Sequence, residues 1–279
     1  MHFWKVNGAG NDFIILSALT SDLTEERLSA LAKHLCHRRR SIGADGLIAV
    51  LPPEGKADFR MLFFNADGTI GEMCGNGVRC ICRFGYELGL SGEKQTIETT
   101  AGLITGKRLS EREYRVRLNP VTLTELNHRV EVDGIRYDCA YVELGDPGLP
   151  HAVLPYANLE NAGEDELREL GQALCHHAAF PKGANVNFYD IVGEDEVFIR
   201  TYERGVEDFT LACGTGAASV AAVLTLKGLL SGEGVRIRSA GGVLTVDMDR
   251  VGSRIDNLYL TGSTNFVAEG EITDEDLPL

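Results

Sequence analysis

The hydrophobic positions of this chain recur with two different periods, and each period predicts a different kind of element. Alternation of apolar and polar residues predicts strands in many short segments, and turn residues such as the Asn-Ala-Asp-Gly of 65–68 follow some of them. Helical spacing predicts amphipathic helices at 24–39 and 164–177. The predicted strands lie at 3–16, 57–69, 95–109, 113–120, 137–144, 185–192, 196–204, 235–248 and 257–270.

Two further predicted helices, at 74–90 and 213–230, are apolar on nearly every side, which indicates burial rather than a surface position. Each opens with Cys-Gly-x-Gly after a strand and a turn, and the two starts lie about half the chain apart. We interpret this arrangement as an internal duplication. The alternative is a chance recurrence of two glycine-rich helix starts. The segment 118–127 is a plausible crossing point between the halves.

Composition narrows the class of protein. The chain has 279 residues, 44% of them hydrophobic and 24% charged, as expected for a globular protein with one large domain or two ordinary ones. A net charge of −14 argues against a nucleic-acid or anionic-membrane surface. The N-terminus does not resemble a signal peptide, and no apolar run approaches the roughly 20 residues of a membrane helix. We therefore expect a cytoplasmic protein without nucleic-acid or membrane partners.

The seven cysteines do not form a disulfide or zinc pattern. Their number is odd and their spacing unpaired, and no second close pair accompanies Cys80 and Cys82. Most are expected to be small buried hydrophobic residues, and no metal site is expected.

The Cys-Gly-x-Gly starts have a specific chemistry. First-turn amides of a helix have no intrahelical acceptor, so they can bind a carboxylate, and the same helix end lowers the pKa of a cysteine beside it. A phosphate loop is the rival interpretation, but neither copy has the Lys-Ser/Thr of a P-loop. Two thiols at one carboxylate ligand suggest inversion of a stereocentre, with one thiolate removing a proton and one thiol donating another. A Cys–His hydrolase using His151, His176 or His177 stays open, although duplication has no purpose there.

These motifs carry a family resemblance. The stretches GNDFIIL, FNADGT, EMCGNGVRC, NVNF, TYERGVEDFTLACGTGAAS and TGSTNFVAEG resemble diaminopimelate epimerase almost from end to end. The resemblance implies an α/β fold of two similar domains, each a twisted, mostly antiparallel sheet wrapped around a central hydrophobic helix, with the active site in the cleft between them. The implied domains are 1–119, completed by a C-terminal strand at about 264–279, and 120–263.

The implied activity is the cofactor-independent interconversion of LL- and meso-diaminopimelate, a step towards lysine and peptidoglycan. Cys74 and Cys213 resemble the catalytic thiols, and His151 and Glu203 the groups that tune them. A homodimer is possible. Substrate binding falls to residues that match the family's amides, helix starts and distal charges, namely Asn11, Asn65, Gly75, Asn76, Asn187, Glu203, Arg204, Gly214 and Thr215.

The chain also departs from the family pattern. Leu149 stands where many members have a substrate-binding Asn, and Gly46 where some have a Gln. For His151 the alternative is a buried structural histidine, for Glu203 and Arg204 a solvated ion pair, and for the asparagines turn chemistry.

Three competing functions follow from the same residues. One is a two-thiol racemase resembling proline racemase. A second is an isomerase resembling the phenazine-biosynthesis family, which shares the fold but lacks the cysteine pair. The third is a non-catalytic amino-acid-binding module, which would need the carboxylate cradle but not the thiols.

Overall fold

The structure is a computed structural model that describes residues 1–20, 23–71, 74–252 and 254–277. The α-helices within these residues are α1 (Glu25–Leu35), α2 (Gly75–Glu87), α3 (Glu164–Cys175) and α4 (Gly214–Leu226). The strands of the first half are β1 (His2–Gly8), β2 (Asn11–Ser17), β3 (Gly46–Leu51), β4 (Phe59–Asn65), β5 (Lys94–Thr99), β6 (Gly102–Arg108) and β7 (Glu113–Arg117). Those that follow are β8 (Val121–Val132), β9 (Ile135–Leu144), β10 (Leu149–Pro155), β11 (Asn185–Gly193), β12 (Glu196–Glu203), β13 (Asp208–Thr210), β14 (Val235–Ser239), β15 (Gly242–Val251), β16 (Arg254–Ser263) and β17 (Asn265–Glu271).

The chain divides into two compact units. Unit 1 comprises 1–116 and 261–279, and unit 2 comprises 117–260. Residues 278 and 279 of the expected C-terminal segment, and Glu72 and Met73 of the first cysteine motif, lie outside the described residues. The sequence-based domain limits of 119 and 263 stay a prediction.

Unit 1 alternates antiparallel and parallel strand pairs. β1 pairs antiparallel with β2, β2 parallel with β3, β3 antiparallel with β4, β4 parallel with β5, and β5 antiparallel with β6. The two parallel joins are crossovers through α1 and α2, as parallel neighbours require. The C-terminal strand β17 extends this sheet by pairing antiparallel with β1.

Unit 2 repeats the same order. β9 pairs antiparallel with β10, β10 parallel with β11 across α3, β11 antiparallel with β12, β12 parallel with β14 across α4, and β14 antiparallel with β15. β8 pairs with β9 and so takes the place that β17 takes in unit 1. The duplication expected from the cysteine motifs is therefore present in the strand order, and the expected α/β fold of two similar halves is confirmed.

Each unit has one amphipathic and one apolar helix. Apolar side chains from alternate positions of β2, β3 and β4 pack against the buried face of α1, as Ile14, Leu47 and Phe64 do. α2 packs against β1, β2 and β6 instead, and its residues from Gly75 to Cys82 are all buried. α4 is likewise buried from Gly214 to Thr225. The predicted burial of both apolar helices is confirmed, and their N-terminal ends carry the cysteines.

The segment 118–127, expected as a crossing point between the halves, begins just after the boundary of the two units, and its residues from Val121 onward form β8. No helix within the described residues is long and apolar enough to cross a membrane.

Candidate active site

In unit 1, Cys74 is the N-cap residue of α2. Its backbone is extended, with φ −110° and ψ 106°, and its sulfur accepts a hydrogen bond from the amide of Gly77 at 3.4 Å. The thiol thus satisfies one of the amides that the first helical turn leaves without a partner. Within the described residues the amide of Gly75 makes no hydrogen bond, so it can bind a ligand.

The predicted amides Asn11 and Asn76 meet beside this helix start. Asn76 donates from Nδ2 to Oδ1 of Asn11 at 2.5 Å, and Asn11 donates to Oδ2 of Asp45 at 3.2 Å. Asp45 in turn accepts from Arg38, which also pairs with Asp12. The chain of contacts fixes both asparagine side chains next to Cys74.

Asn65 does not join this group in the structure. It ends β4 in an exposed turn, where its Nδ2 donates to the Thr69 hydroxyl at 2.9 Å. That is the turn chemistry named as the alternative for it. At Gly46, a Cβ atom would lie 2.4 Å from the ring of Phe63, so this chain has no room for the side chain that some family members have there.

In unit 2, Cys213 repeats the geometry of Cys74. It is the N-cap of α4 with φ −110° and ψ 113°, and its sulfur accepts from the amide of Gly216 at 3.3 Å and contacts the Thr215 hydroxyl at 3.5 Å. The amide of Gly214 makes no hydrogen bond within the described residues. Two helix starts far apart in sequence therefore present sulfur and backbone amides in the same way.

Three buried polar side chains lie against the start of α4. Asn187 donates to the carbonyl of Ala152 and contacts Nδ1 of His151 at 3.2 Å, while its Oδ1 accepts from the Thr201 hydroxyl at 3.0 Å. A Cβ atom at residue 216 would lie only 2.3 Å from that Oδ1. Glycine at position 216 is therefore required for the close packing of Asn187, in addition to the expected approach of a ligand.

His151 is fully buried, and its Nε2 has no hydrogen-bond partner in the described part of the chain. Burial, with a smaller contribution from Arg204, lowers its pKa to about 3. The imidazole is therefore neutral at physiological pH. Its β10 begins two residues earlier, at Leu149, the position that departs from the family pattern.

Glu203 lies at the sulfur of Cys213. It accepts a hydrogen bond from the Thr210 hydroxyl at 2.7 Å and interacts with the thiol itself. Burial first, and then the Glu203 carboxylate, raise the pKa of Cys213 well above its usual value, although Thr215 and Gly216 act in the opposite direction. Cys213 is consequently held as a thiol rather than a thiolate.

Arg204 follows directly in the chain. Its backbone amide donates to Asn185 at 2.9 Å, and its guanidinium donates to the carbonyl of Lys182. Its side chain is close enough to lower the pKa of His151. In unit 2 the structure thus brings the predicted site residues together. In unit 1 it brings Asn11 and Asn76 together beside Cys74, whereas Asn65 lies in a separate turn.

Sequence analysis missed several residues of these clusters, namely Asp45, Thr201, Thr210 and Arg79. Arg79 had a visible signal, because it is a charged residue in the first two turns of an apolar helix. Asp45, Thr201 and Thr210 gave no signal, because each acts through a hydrogen bond to a residue of another element.

Six of the seven cysteines are buried, as expected, and no disulfide joins them in the described residues. Another group, Cys175, His176 and Glu207, has ligand atoms within 4.8 Å of one another and donor types that suit zinc. Its His176 and Glu207 already form an ion pair with each other. The expectation of no metal site stays a prediction.

The duplicated units, each with a cysteine at the start of an apolar helix, define an α/β protein of the fold found in racemases and related isomerases. A probable proline racemase from Agrobacterium radiobacter K84 shares this fold, with a TM-score of 0.71 and 18% identity over 98% of this chain and 92% of that one. A phenazine biosynthesis protein from Enterococcus faecalis does so with a TM-score of 0.70 and 14% identity, over 97% and 98%.

The sequence comparisons are more specific. The diaminopimelate epimerase family matches residues 3–123 and 145–267. The diaminopimelate epimerase of Aquifex aeolicus is 40% identical over 99% of both chains, and that of Moorella thermoacetica is 37% identical over 97% of this chain and 99% of its own. This chain belongs to the diaminopimelate epimerase family.

Proposed function

We propose that this protein is an isomerase that interconverts LL- and meso-diaminopimelate by two-base proton transfer at the α-carbon, in the biosynthesis of lysine and peptidoglycan precursors. The observation that carries the proposal is the pair of cysteine N-caps. Cys74 and Cys213 have nearly the same backbone conformation and both accept from the third helical amide, at matching places in the repeat.

Inversion at carbon requires a base on one face and an acid on the other. A thiolate removes the α-proton while a thiol supplies a different proton, and the reverse reaction exchanges the two roles. The mechanism therefore requires both sulfurs to reach one α-carbon from opposite sides. The different surroundings of the two thiols support a division between base and acid in the resting enzyme.

The reacting carboxylate is assigned to the helix starts. The backbone amides of Gly75, Asn76, Gly214 and Thr215 lie at the positive ends of α2 and α4, where anions are favoured. Negative charge that develops on this carboxylate in the transition state is stabilised by the same donors, which replaces the electron sink that a cofactor supplies in other racemases. The proposal assigns no cofactor.

The rest of the substrate is assigned to polar side chains around these helices. Asn11 and Asn187 are held by hydrogen bonds beside the two cysteines, and Asn65 is assigned to the substrate through its family motif. Arg204 and Glu203 suit the carboxylate and ammonium groups at the distal end, since a guanidinium binds a carboxylate with two parallel hydrogen bonds. This requirement favours a long dicarboxylic substrate over alanine or proline.

Glu203 and His151 are assigned to tuning the thiols. Glu203 interacts with Cys213 and opposes its ionisation, so it favours the acid form of that residue. His151 is neutral, and its Nε2 is available to a substrate group or a sulfur. Thiol chemistry of this kind needs reduced cysteines, so we place the enzyme in the cytoplasm, as a possible homodimer.

The test follows isotope from solvent. Starting from pure LL-diaminopimelate in deuterated water, early product should carry deuterium at the inverted carbon, because the donating thiol exchanges with solvent between turnovers. Recovered substrate should stay largely protiated, because the base returns the proton that it took. Equal labelling of both pools at early times would indicate a single base and contradict the two-thiol mechanism.

Two variants and a control complete the test. Cys74→Ala and Cys213→Ala should each abolish epimerisation, whereas Cys36→Ala removes a buried thiol of unit 1 that lies outside both helix starts and should stay active. Turnover of proline at the rate of diaminopimelate would favour a general racemase. Binding of diaminopimelate without any α-proton exchange would favour a binding module.

A further inference from the structure

We infer that Arg79 is a positioning residue whose buried guanidinium orients Asn76 beside the helix start and supplies the positive charge that stabilises a thiolate at Cys74. The inference rests on the proposed function, because a thiolate at Cys74 acts as a base only in that reaction. The contacts of Arg79 lie in unit 1, and unit 2 supplies the comparison.

Arg79 is the largest of the fully buried side chains, with an exposure of 0%. Its Nη1 donates to the carbonyl of Gly75 at 3.2 Å and its Nη2 donates to Oδ1 of Asn76 at 2.8 Å, while its Nε has no partner among the described residues. In the described part of the chain no carboxylate forms an ion pair with it. Burial of a guanidinium without a counter-ion is unfavourable, so this position indicates a functional role rather than a contribution to stability.

The guanidinium lies at the cysteine end of the helix. Side chains of α-helices point towards the N-terminus, and that of Arg79 reaches back to Gly75, the first helical residue. Its positive charge is therefore added to that of the helix dipole where Cys74 stands. Asn76, which Arg79 holds, in turn holds Asn11, so one side chain orders two of the three predicted asparagines of unit 1.

Cys74 is the thiol available as a counter-ion among those near Arg79. Arg79 interacts electrostatically with Cys80, Cys74 and Cys82. Burial raises the pKa of Cys80 to about 12 and that of Cys82 further, so both stay protonated at physiological pH. Cys74 is only partly buried and accepts a backbone amide on its sulfur, which favours its charged form.

The second half of the repeat lacks this cation. Counting from the two cysteines, the position in α4 that matches Arg79 is occupied by Ala218, and the charged group at Cys213 is the carboxylate of Glu203. The repeat is thus symmetric in backbone and asymmetric in charge. It follows that the resting protein carries the thiolate at Cys74, whose proton has passed to solvent, and the thiol at Cys213.

The test measures alkylation by iodoacetamide, without substrate, at a series of pH values, with each cysteine followed by peptide mass spectrometry. In the parent protein Cys74 should reach half-maximal rate at a lower pH than Cys213. In Arg79→Met this midpoint should rise by a unit or more for Cys74, so that its alkylation near neutral pH slows about tenfold, and should not move for Cys213.

Two variants separate charge from structure. Arg79→Lys retains the charge but not the planar fork, so it should keep most of the low midpoint while losing the hold on Asn76. Arg83→Met makes the same substitution one turn further along α2, where the arginine donates to Thr264, and should leave the midpoint of Cys74 unchanged.

A folded Arg79→Met protein with the parent midpoint at Cys74 would overturn the inference. If that variant does not fold, the pH midpoints of alkylation of Cys74 and Cys213 in the parent protein are compared instead. A lower midpoint at Cys213 than at Cys74 would overturn the inference. Alkylation needs no substrate. The midpoints therefore test the role of Arg79 even if the protein proves to have no epimerase activity.

Discussion

At the scale of single residues, the informative side chains are polar ones that the core encloses. His151 was expected either as a site residue or as a buried structural histidine, and the structure shows it fully buried and hydrogen-bonded to Asn187. Its Nε2 still lacks a hydrogen-bond partner among the residues that the structure describes. An unsatisfied buried nitrogen costs stability, so its retention supports the proposed role in the site.

The lowered pKa of His151 predicts how stability depends on pH. The unfolded chain protonates this imidazole near 6.5, whereas the folded protein does so only near pH 3. Between these two pH values the unfolded state therefore binds more protons than the folded state. Proton binding by His151 begins to favour the unfolded state as the pH falls below about 6.5, and it favours that state more at lower pH. The free energy of unfolding should therefore decrease on acidification, by about 1.4 kcal/mol per pH unit at the steepest from this group.

Urea unfolding of the parent and of His151→Gln between pH 4 and 7 measures this effect. The variant should show a smaller loss of stability over that range, whatever its stability at pH 7. Cys36→Ala removes a buried side chain that does not titrate there, since burial raises its pKa to about 12, and it should keep the slope of the parent. Parallel curves for the parent and His151→Gln would contradict the prediction.

At the scale of elements, the two apolar helices show how one motif meets different surroundings. Both begin at a cysteine N-cap with a glycine three residues on. In α4 that glycine faces Asn187 of β11, whereas in α2 it faces Ile48 and Met61 at ordinary packing distance.

The contrast predicts opposite effects of the same substitution. Gly216→Ala would place its Cβ 2.3 Å from Asn187 Oδ1, so it should displace that side chain and destabilise unit 2 by about 1–3 kcal/mol. Gly77→Ala meets nothing closer than 3.4 Å and gains helix propensity, so it should be neutral or stabilising by up to about 1 kcal/mol. Urea midpoints of the two variants test this, and equal losses would show that the contact with Asn187 is not what requires glycine.

At the scale of the whole molecule, the repeat is closed by the chain's last strand. β17 pairs with β1 as β8 pairs with β9. The equivalent edge strand thus comes from the C-terminal segment in unit 1 and from the strand directly before β9 in unit 2. Beyond β17, Asp274 accepts hydrogen bonds from His34 and Ser41.

A truncation after Thr264 should therefore affect unit 1 selectively. Without β17 the edge of β1 is unpaired, and the amides of β1 and β2 should lose protection in hydrogen exchange while those of β11 and β12 keep it. Truncation after Asp274 retains β17 and its following contacts and should behave like the full chain. Unchanged protection of β1 after the shorter truncation would refute the role given to the last strand.

The sequence alone determined the elements whose signals are local. Helical periodicity located all four helices within a few residues, and the repeated Cys-Gly-x-Gly marked the duplication and both cysteine helix starts. These succeed because caps, turns and apolar periods are encoded by neighbouring residues. The strands β3, β8, β10 and β13 were missed. β8 has mostly polar, partly exposed side chains in a segment that was expected to be a crossing between halves. β3 and β10 are short runs buried at nearly every position, so they lack the alternation that marks a strand, and β13 has only three residues.

Only the tertiary structure decided the surroundings of the two thiols. The carboxylate at Cys213 comes from the end of β12, the amide against α4 from β11, and the hydrogen-bond partner of Asn76 from the start of β2. Each contact joins residues of different elements, so no local pattern encodes it, although the family resemblance had named Glu203 and Asn187 as site residues. Charge and burial at a sulfur depend on those contacts, and they make two nearly identical helix starts chemically different.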